Sequence, residues 1–224
     1  IVSVSVPGEG LWESSLGVED KATQLPMKAG MHTRIGSITK TFTITAVLLL
    51  VDDGKLQLDD PISKYLDFVP NGANISLRQM ANMTSGLFSY TQDKPWVAQL
   101  FANPFQVFTA RQLVDVGLAR QPHFPPGTDI NYCNSNTVLL GMVVEKVSGQ
   151  KIQDFIASRI LQPLHLTHTS WPGGTELPSP FSHGYTDQTP DGKETEATFH
   201  NPSWGNAAGQ MISDLEDLKI WAVA

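Results

Sequence analysis

The stretch that decides the fold is GSITK at residues 36–40, followed by the apolar run TFTITAVLLLV at residues 41–51. Ser37 and Lys40 are three residues apart, and positions i and i+3 share one face of a helix. A serine hydroxyl is a poor nucleophile without an adjacent base, and a lysine can be that base when burial keeps it partly neutral. The stretch therefore predicts a buried helix with a nucleophile and a base at its start. S-x-x-K is short and recurs by chance, so an ordinary helix start is the alternative.

The composition narrows the class of protein. A chain of 224 residues with 41% hydrophobic and 17% charged residues suits one globular domain, or two closely joined lobes. The net charge of −7 argues against nucleic acid or an anionic membrane as partner. Cys133 is the single cysteine, which excludes an intrachain disulfide. Residues 1–6 alternate like a strand and do not form a signal peptide, so we expect the chain to begin inside a fold.

Periodicity along the chain predicts an α+β protein. A β-hairpin is expected from residues 1–6 and 11–18, and the helix from Ser37 is apolar on all sides, which is typical of a central helix. The motif SDLE from Ser213 is interpreted as a capping box that opens a final helix. The other predictions are helices within 56–66 and at 75–80, 109–120, 137–148 and 152–160, a long loop with short helical turns at 88–110, and loops with short strands at 163–203.

A second motif, Tyr132-x-Asn134, adds two groups that acyl-transfer chemistry uses. A phenol can relay a proton, and an asparagine amide can clamp a substrate amide because it both donates and accepts hydrogen bonds. Taken singly, Tyr132 is more often a buried aromatic residue and Asn134 a turn or helix cap. Taken with Ser37 and Lys40, the set supplies a nucleophile, an amine, a proton relay and an amide clamp.

Four segments in order resemble the class C β-lactamase family of serine hydrolases, which includes D-alanyl-D-alanine carboxypeptidases and related esterases. They are GSITK, then LVDDGKLQLDD (50–60), LRQMANMTSGL (77–87) and YCNSNTVLLG (132–141). The resemblance covers about residues 1–218, and the last two segments look closest to the carboxypeptidase branch. It implies that Ser37 is acylated, that Lys40 and Tyr132 manage its proton, and that Asn134 contacts the substrate amide. It also implies that the Ser37 backbone N–H forms half of an oxyanion hole.

The resemblance also implies a fold. We expect a β-lactamase/transpeptidase-like architecture, with an antiparallel sheet flanked by helices and a mostly helical lobe. The whole chain, 1–224, is then one domain. Residues 1–36 form the sheet hairpin and lead-in, 37–165 the helical lobe with both motifs, and 166–224 loops, short strands and a final helix.

Two aromatic residues are further candidates for substrate binding. Phe88 matches a position that often lines the pocket in this family, although a plain core aromatic is an equally good interpretation. Trp204 is a weaker candidate. Cys133 is interpreted as a small packed thiol, and the histidines lie without carboxylates at ligand spacing. We therefore expect no metal and no cofactor.

The third motif of the family, Lys-Thr-Gly or His-x-Gly, has no convincing match, since His183-Gly184 lacks the intervening residue. That motif borders the pocket and its strand donates the second oxyanion N–H. Without partner strands, the N-terminal hairpin would leave an apolar sheet face exposed. We therefore expect an incomplete sheet in a chain that is one part of a larger protein. The C-terminal strands and the third motif then belong to a complementary second chain, to a truncated part or to a cleaved segment.

These observations favour a serine hydrolase that forms an acyl-enzyme. The expected substrates are small molecules or peptides, namely D-alanyl-D-alanine peptides or the β-lactams that mimic them. An esterase on the same scaffold and a non-catalytic penicillin-recognising sensor domain are the alternatives. Family resemblance further implies an exported bacterial protein, located in the periplasm, in the cell wall or outside the cell.

Overall fold

The structure is a computed structural model that describes residues 1–189 and 191–224. Helices dominate it, and each sheet that it contains has two antiparallel strands. The strands are β1 (Val2–Val6), β2 (Gly10–Ser14), β3 (Thr33–Arg34), β4 (Tyr185–Thr186), β5 (Thr195–Glu196) and β6 (Ile212–Ser213). The helices are α1 (Thr39–Asp52), α2 (Leu77–Ala81), α3 (Lys94–Ala102), α4 (Ala110–Leu118), α5 (Asn134–Ser148), α6 (Ile152–Ile156) and α7 (Leu215–Trp221).

The N-terminal hairpin forms as predicted, although its second strand is shorter than expected. β1 pairs with β2 so that Val4 lies opposite Trp12, and Val2 lies opposite Ser14. β2 ends at Ser14, whereas the sequence pattern extended it to residue 18. Side chains alternate between the two faces of a strand, so Val2, Val4 and Trp12 share one face.

The core is built on α1 and α5, which pack against each other. Phe42 and Leu50 of α1 and Leu139 of α5 are completely buried. α1 is therefore the central helix that its all-round apolar pattern predicted. Both helices are followed by a glycine in the left-handed conformation, Gly54 after α1 and Gly149 at the end of α5. Glycine adopts this conformation without a steric penalty.

Residues 88–110 correct the sequence prediction most clearly. The expected long loop contains the nine-residue helix α3. Asp93 caps α3 by accepting a hydrogen bond from the Trp96 N–H at 2.9 Å, and Pro95 lies in the first turn. Proline is tolerated there because the first-turn N–H groups have no helical partner. Pro95 therefore belongs to the start of a helix within the segment predicted as a loop.

The predicted capping box at the final helix is also wrong in detail. Asp214, not Ser213, is the N-cap of α7, and its Oδ1 accepts a hydrogen bond from the Asp217 N–H at 3.0 Å. Ser213 belongs to β6, where it pairs with Thr33 of β3. By contrast, the helix predicted at 75–80 is present as α2, and Ser76 and Gln79 form a full capping box at its start.

Smaller differences concern the other helices. α5 begins at Asn134, ahead of its predicted start, and α6 ends in a π-helical turn, Ala157–Leu161. The helix expected within 56–66 is a single 3₁₀ turn, Ile62–Lys64. Across the described residues, the helices lack the combined length and apolar character that crossing a membrane needs.

Candidate active site

Ser37 lies in a 3₁₀ turn, Gly36–Ile38, that leads directly into α1. Gly36 has a positive φ of 50°, a backbone conformation that costs glycine little. It precedes Ser37, which is exposed near the N-terminal end of α1. The Ile38 N–H is bonded to the Ile35 carbonyl oxygen at 3.1 Å. The N–H groups at the start of a helix have no partner within it. The Ser37 N–H belongs to this turn and lies one residue before that bond.

Three predicted catalytic side chains meet at Ser37. The Ser37 Oγ and the Tyr132 hydroxyl share a hydrogen bond of 2.5 Å. Lys40 Nζ lies 3.0 Å from the same Oγ and 4.8 Å from the centroid of the Tyr132 ring. The structure therefore brings Ser37, Lys40 and Tyr132 together, although Tyr132 comes from a distant segment.

The buried environment of Lys40 favours its neutral form. Its side chain is only 5% exposed, and burial lowers the pKa of Lys40 below its ordinary value of 10.5. Nζ also donates a hydrogen bond to the Ala208 carbonyl oxygen at 2.7 Å. A neutral amine can keep that bond while its lone pair accepts the Ser37 proton, so Lys40 can act as a general base.

The Ala208 carbonyl is held in place by the 3₁₀ turn Asn206–Ala208, which packs on α1 and α5. Thr43 of α1 donates a hydrogen bond to the neighbouring Ala207 carbonyl oxygen at 2.8 Å. Gly141 of α5 packs so closely on this turn that an added Cβ would lie 2.7 Å from the Ala207 Cβ. Two helices therefore fix the acceptor that orients Lys40.

Partly buried hydrogen bonds position the second motif. The backbone N–H of Asn134 donates to Ser89 Oγ at 3.0 Å, and its side-chain Nδ2 donates to Thr91 Oγ1 at 2.8 Å. Ser135, fully buried in the next position, donates to the Phe88 carbonyl oxygen at 2.8 Å. The segment after α2 thus anchors the start of α5, which carries the exposed Tyr132 toward Ser37.

A cavity of ≈ 470 Å³ opens beside the nucleophile. Its lining is made of Arg34, Gly36, Ser37, Tyr90, Thr91, Trp96, Val97, Leu100, Phe101, Pro104, Asn134, Thr186, Gln188, Ala197, His200, Pro202, Trp204, Gly205, Ala208 and Gly209. Two predicted substrate contacts, Asn134 and Trp204, therefore face the same space as Ser37. Its volume lies within the range of ordinary small-molecule sites.

The third predicted contact, Phe88, is not among the described residues that line this cavity. Its ring is partly buried and stacks on His123, with 5.1 Å between the ring centroids. The structure thus places Phe88 closer to the packed-aromatic interpretation. Cys133 is also packed, 1% exposed, and burial raises the pKa of its thiol, which disfavours the thiolate form.

The cavity has residues that the sequence reasoning missed. One face of α3 contributes apolar side chains, and Thr91 holds the Asn134 amide. Arg34 and His200 add titratable groups to the lining, and burial together with the Arg34 charge lowers the pKa of His200. The i, i+4 spacing of Trp96 and Leu100 was the available signal for α3, but the prolines at 95 and 104 masked it.

Histidine and carboxylate side chains also meet away from this cavity. His168 Nδ1 lies 2.7 Å from Asp214 Oδ2 and 4.0 Å from Glu216 Oε2. These atoms could in principle surround a metal ion, although exposed acidic groups often lie together without one. Sequence spacing did not reveal the contact, because the carboxylates come from the distant start of α7. We interpret it as a structural contact between His168 and the N-cap residue of α7.

Comparison with known proteins decides the family. A family model described as Beta-lactamase matches residues 1–224, which is the whole chain. The chain belongs to the beta-lactamase family. The β-lactamase/transpeptidase-like fold expected from the sequence is thereby confirmed, with its helical lobe and its small antiparallel sheets.

Several relatives of this beta-lactamase family member indicate its kind. A D-stereospecific amidohydrolase from Streptomyces sp. is 39% identical, with a TM-score of 0.84 over 87% of this chain and 61% of that chain. The D-amino acid amidase from Ochrobactrum anthropi SV3, solved with L-phenylalanine amide, is 30% identical, with a TM-score of 0.83 over 97% of this chain and 62% of that one. These neighbours support a serine hydrolase of the beta-lactamase family.

Among curated proteins, "Protein flp" from Staphylococcus aureus (strain MRSA252) is 28% identical over 219 residues. The match covers 96% of this beta-lactamase family chain and 42% of flp. The chain therefore spans less than half the length of that relative, and about three fifths of the two amidohydrolase structures.

Proposed function

We propose that this chain carries the acylating site of a serine hydrolase that cleaves the amide bond on the carbonyl side of a D-amino acid residue. The observation that carries the proposal is the meeting of Ser37, Lys40 and Tyr132, with Oγ at 2.5 Å from the phenol and 3.0 Å from the amine. A nucleophile within hydrogen-bond reach of a base is the arrangement that covalent catalysis needs.

The reaction begins when Ser37 Oγ bonds to the amide carbon, while its proton passes to the neutral Lys40 amine. The Ser37 N–H stabilises the negative charge that develops on the carbonyl oxygen. Proton transfer through Tyr132 to the leaving nitrogen then breaks the C–N bond and releases an amine. Water then attacks the carbonyl carbon of the resulting ester and gives a proton to the Lys40 amine. The bond between the acyl carbon and Ser37 Oγ breaks, Oγ takes the proton back, and the acid product leaves.

Similarity to the D-stereospecific amidohydrolase and the D-amino acid amidase supports the D-configured substrate. D-alanyl-D-alanine peptides belong to the same substrate class, and β-lactams mimic them. Similarity to a protein named as a putative penicillin-binding protein from Bacillus subtilis (strain 168) supports counting these peptides and β-lactams among the proposed substrates. Esterase activity and single, non-catalytic acylation are the competing outcomes.

The N-terminal hairpin supports a further part of the proposal. Val4 and Trp12 on its shared face are 48% and 58% exposed, so a continuous apolar surface is open to water. We propose that additional β-strands, in the same polypeptide or in a complementary one, cover this face. Those strands would supply the second oxyanion donor and the third family motif at the open side of the cavity.

Hydrolysis of a matched substrate panel tests the proposed activity. The protein that carries this chain in its full length is assayed with D- and L-phenylalanine amide, a D-alanyl-D-alanine peptide, nitrocefin and a p-nitrophenyl ester, beside its Ser37→Ala variant. We expect turnover of D-configured amides or peptides that is lost in the variant. Turnover of the ester alone would favour an esterase, and one acylation without turnover would favour a sensor.

A further inference from the structure

The α3 helix presents an apolar face to the catalytic cavity. Trp96, Val97, Leu100 and Phe101 all line it, and their i, i+1, i+4 and i+5 spacing places them on one side of the helix. Trp96 and Leu100 are 6% and 7% exposed, whereas Ala98 is exposed and is not part of the lining. The cavity therefore has a wall that is apolar over a full helical turn.

This wall is held rigidly. The Asp93 cap fixes the first turn, and Arg120 Nε donates a hydrogen bond to Asp93 Oδ2 at 2.6 Å. Tyr90 packs edge-on against Trp96, with ring centroids 5.0 Å apart, and its hydroxyl donates to the Trp204 carbonyl oxygen at 2.6 Å. Tyr90 thus ties the α3 wall to the Trp204 side of the same cavity.

Only some of the proposed catalytic and binding groups are among the described residues that line the cavity. Ser37 and Asn134 line the cavity, whereas Lys40 and Tyr132 are not among its described lining residues. In the proposed reaction, Lys40 and Tyr132 pass the proton to the leaving amine, and Asn134 contacts the acyl side of the substrate. The cavity thus adjoins the residue that contacts the acyl part in the proposed reaction, which makes it the candidate site for that part.

We propose that the apolar face of α3 binds the side chain of the acyl residue, so that the enzyme selects substrates with a large apolar, above all aromatic, side chain. This inference rests on the proposed function and adds the substrate class. The cavity volume of ≈ 470 Å³ accommodates an amino acid with an aromatic ring. Arg34 and His200 of the lining come from outside α3, and the residues that α3 itself contributes carry no charge.

A substitution on each side of α3 provides the test, again in the full-length protein. Val97→Phe narrows the cavity, and Ala98→Phe adds the same ring on the exposed face of the same helix. The measured quantity is kcat/KM for D-phenylalanine amide divided by kcat/KM for D-alanine amide. One methylene in an apolar pocket changes such ratios by about 10- to 200-fold. We expect a wild-type ratio above about 10, a fall of at least about 10-fold in Val97→Phe, and no change in Ala98→Phe.

A second readout separates this inference from the proposed function. If D-amino acid amides are not hydrolysed, the ratio is measured with two esters. It is the rate of Ser37 acylation by p-nitrophenyl phenylacetate divided by the rate with p-nitrophenyl acetate. A phenylacetyl preference that Val97→Phe removes would support the α3 pocket even though the amidase proposal had failed. A wild-type ratio near one, or equal ratios in both variants, would overturn the α3 pocket.

Discussion

Ser37 Oγ and the Tyr132 hydroxyl lie 2.5 Å apart, although 95 positions separate the two residues in the sequence. The contact joins the turn before α1 to the segment before α5, and the packing of these two helices maintains it. The core of the lobe therefore positions the two side chains that we propose as nucleophile and proton relay.

Lys40 is expected to control the pH dependence of acylation. Burial lowers its pKa below 10.5, so the neutral amine is populated from that lowered pKa upward. The acylation rate should therefore rise with pH and level off above the lowered pKa. Lys40→Arg keeps a cation at every accessible pH and should lower the rate by about 10²–10⁴-fold. Stopped-flow acylation measured across pH checks both statements, and a flat wild-type profile would argue against Lys40 as the base.

Tyr132→Phe should separate catalysis from folding. The ring is 50% exposed, so loss of its hydroxyl should leave the thermal unfolding midpoint nearly unchanged. Removal of the proton relay should lower kcat by about 10²–10⁴-fold. The two quantities are measured on the same preparation. Normal turnover in this variant would show that Lys40 alone manages the proton.

The neighbouring asparagines should give opposite results. Asn134 lines the cavity, so Asn134→Ala should lower kcat/KM by about 2- to 10-fold with little loss of stability. Asn136 is fully buried and accepts a hydrogen bond from Ser85 Oγ at 2.7 Å, so Asn136→Ala should cost about 1–3 kcal/mol of unfolding free energy. Denaturant unfolding and steady-state kinetics distinguish the two, and a reversed pattern would contradict the assignment.

Gly141→Ala tests whether the Ala208 turn orients Lys40. The new Cβ would lie 2.7 Å from the Ala207 Cβ, so the turn must shift, at about 1–3 kcal/mol and with a lower kcat. Gly30→Ala is the matched control, because its Cβ meets nothing within 4 Å, and it should stay within about 0.5 kcal/mol of wild type. An unchanged kcat in a destabilised Gly141→Ala protein would show that the position of this turn does not affect the role of Lys40 in catalysis.

Local patterns were enough to predict the central helix and to select the candidate residues that the structure brings together. The apolar run after Lys40 and the joint presence of Ser37, Tyr132 and Asn134 indicated both the lobe and its chemistry. These features depend on composition and short spacing, which a sequence displays directly. The contact between Ser37 and Tyr132 itself depended on resemblance to a known family.

The α3 wall and the α7 cap were not predictable in the same way. Pro95 can mark a loop or a first helical turn, and only the Asp93 cap, itself bound to Arg120, resolves the choice. Ser213 and Asp214 are both good caps, and the pairing of Ser213 with β3 leaves the cap to Asp214. In both cases, a tertiary contact decides between two locally acceptable structures.

The most direct test is to locate the covalent adduct on the full-length protein after reaction with a fluorescent penicillin or a fluorophosphonate. Trypsin cleavage after Arg34 and Lys40 isolates residues 35–40 (IGSITK), while Cys133 lies on a separate peptide. We predict that the added mass is on peptide 35–40 and disappears in Ser37→Ala. Labelling that persists in that variant, or that maps to the Cys133 peptide, would contradict Ser37 as the nucleophile.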